Sequence, residues 1–156
     1  MDGRCACGQV RYRLTADPIV VHCCHCLSCQ CETGSAFVIN AIIESAHVEV
    51  LEGRAERVPT PSASGKGQDI VRCPTCHVAL WSHYGGAGDK AAFIRAGTLE
   101  EPATMNPDVH IFTRSKLPWV GLPDDVPAFE AFYSGKDVPA IYGDDGAARW
   151  RALREL

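Results

Sequence analysis

Residues 9–15 alternate, with Val10, Tyr12 and Leu14 set against Gln9, Arg11 and Arg13. That period of two predicts a half-buried strand. Residues 19–23 and 36–43 are runs rich in β-branched side chains, which predict strands. Residues 48–51 and 55–58 flank Glu52-Gly53 and predict a hairpin. Further short strands are expected over 69–72, 79–83, 91–96 and 109–112. Residues 60–67 (TPSASGKG) and 84–90 (YGGAGDK) read as loops, because their Gly, Pro and Ser neither pack nor pair. Helical pattern appears late, over 127–133 and 146–156. In the second stretch Ala147, Trp150, Leu153 and Arg154 follow three-and-four spacing. The whole pattern predicts a mainly β fold of one domain, residues 1–135. A polar, helical extension of that domain follows over 136–156.

Composition narrows the classes of function. The chain has 156 residues, 46% of them hydrophobic, and a net charge of −4. Such a chain buries a real core. Nucleic-acid binding and a polybasic membrane patch are not expected, since both need clustered Lys and Arg. No apolar run approaches the ~20 residues of a membrane-spanning helix. The start, Met1-Asp2-Gly3-Arg4-Cys5, has no apolar signal core. The expected location is therefore cytoplasmic, where thiols stay reduced. Nine cysteines are also an odd number, which rules out complete internal disulfide pairing. Reduced, clustered cysteines point to metal.

The cysteines fall into three groups. Cys5 and Cys7 are followed by Gly8; Cys73 and Cys76 form a CxxC; the centre reads Cys23-Cys24-His25-Cys26-Leu27-Ser28-Cys29-Gln30-Cys31. Two thiolates in a tight turn grip one side of a tetrahedral zinc. Cys5 and Cys7 are the natural second pair for Cys73 and Cys76, and together they predict a structural site. A redox CxxC is expected to open a helix, whereas this one lies between strands. In the centre, an extended 20–26 segment puts His22, Cys24 and Cys26 on one face, with Val21, Cys23 and His25 on the other. Cys24, Cys26 and Cys29 then offer three thiolates. Cys23 is expected to fill core space as a small hydrophobe. If Cys31 or His22 adds a fourth ligand, the site is structural. If neither does, one position stays open, the usual form of a catalytic zinc.

The ordered set Gly3-x-Cys5-x-Cys7-Gly8-x-Val10-x-Tyr12, then Cys24-His25-Cys26-x-x-Cys29 with Thr33-Gly34-Ser35, then Cys73-Pro74-x-Cys76, resembles the glutathione-dependent formaldehyde-activating enzyme family. That family includes centromere protein V-like domains. Gly97-Thr98-Leu99, His110-Ile111, Lys116 and Trp119 extend the resemblance. It implies a β-tent of short antiparallel sheets around a structural zinc held by Cys5, Cys7, Cys73 and Cys76. It implies a second, catalytic-type zinc at Cys24, Cys26 and Cys29. This chain departs from the pattern at three points: His77 stands where the family has Gly, Arg72 replaces an aromatic, and Cys23 and Cys31 are additions.

The activity so implied is that of a carbon–sulfur lyase. Its partners are a small-molecule thiol of the glutathione kind and a small aldehyde, with the substrate thiolate in the fourth position of the second zinc. Candidates for holding the aldehyde oxygen are His25, Ser28, Thr33, Ser35 and the backbone near Gly34. Arg72 and Arg95 are candidates for the substrate carboxylates, although a solvated strand face is the commoner use of such arginines. His47 and His83 read as surface or strand positions, and Trp81 and Trp119 as core. Two other functions fit the composition: a non-catalytic zinc module that binds protein, and a thiol redox sensor using Cys23, Cys29 or Cys31.

Overall fold

The structure, a computed structural model, describes residues 1–155. It is mainly β, as the pattern predicts. A three-stranded sheet contains β1 (Asp2–Arg4), β2 (Arg11–Leu14) and β5 (Val48–Glu52) in the order β1-β2-β5. The larger sheet contains β3 (Val20–Cys24), β4 (Val38–Glu44), β6 (Glu56–Thr60), β7 (Gln68–Arg72), β8 (Ala79–Tyr84), β9 (Ala91–Arg95) and β10 (Val109–Ile111). Its order is β10-β3-β4-β9-β8-β7-β6, antiparallel except where β10 runs parallel to β3. A short helix, α1 (Leu27–Thr33), follows β3, and α2 (Val138–Glu155) closes the described chain, kinked at Gly143.

The large sheet carries a core on each face. Tyr12, Leu14, Val21, Ala41, Ile43, Leu80, Trp81 and Ile94 pack on the side of the small sheet. Ile19, Val20, Ile42, Val109, Tyr133, Tyr142, Ala147 and Leu153 pack on the other side, under the C-terminal segment. The β-branched runs of β3 and β4 are therefore covered on both faces, which is why they lack polar alternation. In the first core the Tyr12 ring meets Trp81 edge-to-face at 5.4 Å, and its hydroxyl lies 2.7 Å from Thr98 Oγ1. Gly3 is the register partner of Tyr12, and any Cβ at Gly3 would collide with that ring. The Gly3/Tyr12 pairing in the sequence motif thus has a packing cause.

Two expected elements take another form. Residues 48–51 and 55–58 do not make a hairpin, because β5 pairs with β2 and β6 pairs with β7. Gly53, at φ 75°, carries the chain from one sheet to the other past the Gln9 carbonyl, where a Cβ would not fit. Residues 127–133 are not helical. Their backbone bonds to β10 instead: His110 N–H donates to Pro127 O (2.8 Å), and Phe129 N–H donates to His110 O (2.9 Å). The segment thereby covers the edge of β10. The helix expected over 146–156 forms as part of α2, with Ala147 and Leu153 buried; Leu156 lies outside the described residues.

Candidate metal centres

Cys5 and Cys7 sit in the turn between β1 and β2, while Cys73 and Cys76 sit in the turn between β7 and β8. The two turns are built alike. Cys5 N–H donates to Val10 O (3.0 Å), and Cys73 N–H donates to Val78 O (3.1 Å). In each turn the residue after the second cysteine is left-handed: Gly8 at φ 77° and His77 at φ 60°. His77 therefore adopts the conformation that its usual glycine would supply, at a cost glycine avoids. The four sulfurs converge, with Cys5 Sγ 3.4 Å from Cys7 Sγ and Cys7 Sγ 3.7 Å from Cys73 Sγ. Tetrahedral zinc with bonds near 2.3 Å has sulfur–sulfur edges of about 3.8 Å, so the spacing suits one ion. Cys5 and Cys73 are buried against the first core, Cys7 is exposed and Cys76 half-buried. The Val78 amide, followed by the Cys7 amide, draws the Cys76 thiol down to about 6.

The second group forms where β3 ends. Cys24 is the last residue of β3, and Cys26 caps α1, its sulfur accepting the Cys29 N–H at 3.3 Å. Extended structure ends at Cys24 rather than reaching Cys26, and α1 was not evident in the sequence pattern. It buries none of its residues; Cys26 closes one end and Gly34, at φ 63°, closes the other by donating to Gln30 O (2.9 Å). Cys24, Cys26 and Cys29 come together on the second-core side. Hydrogen bonds with Cys24, then Cys29, draw the Cys26 thiol down, while those with Cys26, then Cys29, push the Cys24 thiol up. Cys31 is exposed and outside the group. The His22 ring points to Tyr133, with Nε2 2.7 Å from its hydroxyl. Among the described residues, neither candidate for a fourth ligand joins the three thiols. Both the quartet and the trio could hold a metal ion, and all nine cysteines are free thiols.

The surroundings of the trio differ from expectation in several ways. Arg95 is only 7% exposed and is not solvated. It donates to Asn40 Oδ1, to Ser82 Oγ (2.9 Å) and to Glu32 Oε2 (3.3 Å), while Arg72 donates to Glu32 Oε1 (2.5 Å). Glu32, on α1, thus engages both arginines that the sequence offers for substrate carboxylates. Thr33 donates to Cys29 O (2.8 Å) and the Gly34 amide is spent on the cap, so both serve the helix. His25 is fully buried and points away, toward His110 (Nε2 to Nδ1, 3.0 Å). Cys23 is buried at 2% exposure, as expected of a small core residue, and also lies beside His25 (3.6 Å to Nε2). Trp81 is buried as expected, but Trp119 is 75% exposed and is not part of either core. One residue that the sequence reading passed over is Tyr84, the end of β8. Burial, then the charge of Cys29, raises its hydroxyl, and Arg95 and Cys24 act on it too. A surface hollow of about 550 Å³ between the 59–69 and 83–89 segments is lined by Tyr84 but by none of the cysteines.

No helix among the described residues is long and apolar enough to cross a membrane. No curated protein matches the chain. A crystal structure of a Rhodobacter sphaeroides protein, solved as a structural-genomics target, has a similar fold, with a TM-score of 0.50 and 17% identity. The match covers 83% of this chain and 100% of that one. The family model of the glutathione-dependent formaldehyde-activating enzyme matches residues 1–115. That span takes in both convergent cysteine groups and the strands that carry them, and by this match the chain belongs to the glutathione-dependent formaldehyde-activating enzyme family.

Proposed function

We propose that this protein is a carbon–sulfur lyase that joins a glutathione-like thiol to a small aldehyde, formaldehyde being the first to test. The observation that carries this reading is the convergence of three thiols, Cys24, Cys26 and Cys29, with both Cys31 and His22 turned elsewhere. Three protein ligands are the pattern of a catalytic zinc, four that of a structural one. Cys5, Cys7, Cys73 and Cys76 accordingly hold the structural zinc in this reading. Residues 1–135 carry the chemistry and 136–156 extend the same domain, in a cytoplasmic setting that keeps the thiols reduced.

Cys24, Cys26 and Cys29 would hold the zinc, which would supply the charge that ionises a substrate thiol. The reaction forms one carbon–sulfur bond; the thiol proton ends on the former carbonyl oxygen. Ionisation alone explains little of the rate. A thiol with a pKa of about 8.5 is roughly 3% ionised at pH 7, so full ionisation gains about 30-fold. The rest has to come from holding the aldehyde and its developing oxyanion. Tyr84, at the end of β8, is the candidate for that task, since Cys29 and Cys24 lie near enough to act on its hydroxyl. The Cys24 hydrogen bond lowers the Cys29 thiol, but Cys26 and burial raise it to about 11; the Arg95 charge opposes that rise, and Glu32 offsets Arg95.

The test is NMR exchange between formaldehyde and glutathione with stoichiometric zinc-loaded protein. The expected result is faster exchange, lost in Cys26→Ser. An unchanged rate would reject this substrate pair. A second reading, a non-catalytic zinc module that binds protein, is favoured by the exposure of Trp119 (75%), Leu27 (69%) and Phe132 (54%). An exchangeable ligand on the second zinc would count against it.

A further inference from the structure

We propose that Cys23, His25 and His110 form a third metal site, of one thiolate and two imidazoles, for a soft transition-metal ion such as copper(I) or zinc. This inference stands apart from the proposed lyase activity. The sheet register assembles the group. His110 on β10 is the direct partner of Cys23 on β3, and His25 is two residues beyond Cys23 on the same side. None of the three belongs to the trio: Cys24 alternates with Cys23 at the end of β3, and Cys26 and Cys29 are set by the cap and first turn of α1.

The spacing fits an ion. Cys23 Sγ is 3.6 Å from His25 Nε2, and His25 Nε2 is 3.0 Å from His110 Nδ1. A tetrahedral centre with bonds near 2.3 Å to sulfur and 2.05 Å to nitrogen has edges of about 3.5 Å (sulfur–nitrogen) and about 3.3 Å (nitrogen–nitrogen). The first matches as it stands, and the second needs the rings to part by about 0.3 Å. Without an ion the group is poorly served. Exposures are 2% for Cys23, 0% for His25 and 6% for His110. One proton between His25 and His110 makes one hydrogen bond, and the Cys23 thiol has only the same nitrogen to turn to. Three chemically active side chains buried with so little bonding are a costly filler, and an ion at their centre engages all three.

Charge bears on which ion. One thiolate and two neutral imidazoles leave a monovalent ion neutral overall and a divalent ion at +1. A net positive charge is disfavoured in a buried pocket that already feels the Lys116 ammonium. Thiolate ligation also selects copper(I).

The test starts from protein reconstituted with two equivalents of Zn²⁺. One equivalent of copper(I) is added anaerobically or, in a parallel arm, a third equivalent of Zn²⁺. After desalting, metal content and X-ray absorption at the copper and zinc edges are measured. The site is expected to retain one further ion per chain, with a mixed nitrogen–sulfur shell and imidazole scattering. The quartet and the trio are all-sulfur, so imidazole scattering is specific to this group. Cys23→Ser and His110→Gln are each expected to weaken retention by about 100-fold or more, since even outer ligands change affinity by 10–100-fold. Cys31→Ser is expected to change nothing. Retention of neither ion by the native chain, or retention in an all-sulfur shell, overturns the proposal. Undiminished retention in a folded Cys23→Ser or His110→Gln variant overturns it as well.

Discussion

Cys7 Sγ lies 3.7 Å from Cys73 Sγ, across 66 residues of sequence. The contact ties the turn of the small sheet to a turn of the large one. A structural zinc in a small peptide is worth about 10–16 kcal/mol, comparable to the ~5–15 kcal/mol of a whole domain. Chelation, or Cys73→Ser, is therefore expected to abolish cooperative melting rather than merely shift it. Calorimetry with and without chelator checks this. A Tm change under roughly 3 °C, the effect of only about 1 kcal/mol in a chain of this size, would contradict it.

His77 at φ 60° yields a prediction of opposite sign. A side chain in the left-handed region costs about 1–2 kcal/mol relative to glycine, partly offset by the extra freedom glycine gives the unfolded chain. His77→Gly is expected to stabilise the protein by about 0.5–1 kcal/mol in urea unfolding. The Arg72 bond goes to the His77 carbonyl (3.0 Å), which glycine keeps. A loss of stability would show that the imidazole itself contributes.

What could be read from the sequence was what local geometry dictates. Alternation along β3 separates Cys23 from Cys24, but the strand ends there and the entry to α1 places His25 and Cys26; the two paired cysteine turns follow from ligand spacing. What could not be read depends on distant partners. The pairing of Cys23 with His110 arises from a parallel register that joins strands 87 residues apart, so the Cys/His group has no local signature. Residues 127–133 have helix-like apolar spacing, yet β10 offers their backbone an edge to pair with. The α1 helix shows no apolar stripe because it buries none of its residues, and its caps include a cysteine outside the usual capping set. Trp119 illustrates a one-way rule: apolar residues dominate cores, but being apolar does not bury a residue.

The central site makes a prediction that separates neighbouring cysteines. Cys29 belongs to the trio and Cys31, two residues on, does not. Cys29→Ser is expected to lower bound zinc by one equivalent per chain, whereas Cys31→Ser keeps the native content. Elemental analysis after gel filtration distinguishes them. Equal zinc loss from both variants would remove the three-thiolate assignment.

Glu32 is expected to be worth more than its place on an exposed helix suggests. It meets Arg95 and Arg72, with side-chain exposures of 8% for Arg95 and 11% for itself. Glu32→Gln leaves the Arg95 charge with only the neutral acceptors of Asn40 and Ser82. Breaking a buried pair from one side costs about 3–5 kcal/mol, and the remaining acceptors reduce that to about 2–3 kcal/mol here. Arg72→Met removes only the more open partner and is expected to cost about 1 kcal/mol or less. Denaturant midpoints measure both. Equal costs would mean that Arg95 does not depend on Glu32.

Arg149 fastens α2 to β4 and sets a pH dependence. Its Nε donates to Glu44 Oε1 (2.9 Å) and its Nη2 to Oε2 (2.6 Å), with a further bond to Asp17 O (3.0 Å). The Arg149 hydrogen bonds hold the Glu44 carboxyl below its ordinary value of 4.5, against burial, which raises it. A carboxylate whose folded pKa is depressed contributes its stability above the unfolded pKa and loses it as pH falls through the folded one. The Glu44–Arg149 coupling should therefore be fully present at pH 7 and begin to decline below pH 4.5. A forked, partly buried pair is worth about 1–2 kcal/mol. A double-mutant cycle of Glu44→Gln and Arg149→Ala isolates that coupling from the Asp17 bond, and from any metal loss that all four proteins share. The expected coupling is about 1–2 kcal/mol at pH 7 and visibly smaller at about pH 4. A value that stays constant across this range would show that α2 is held by its apolar face, Ala147 and Leu153, rather than by the ion pair.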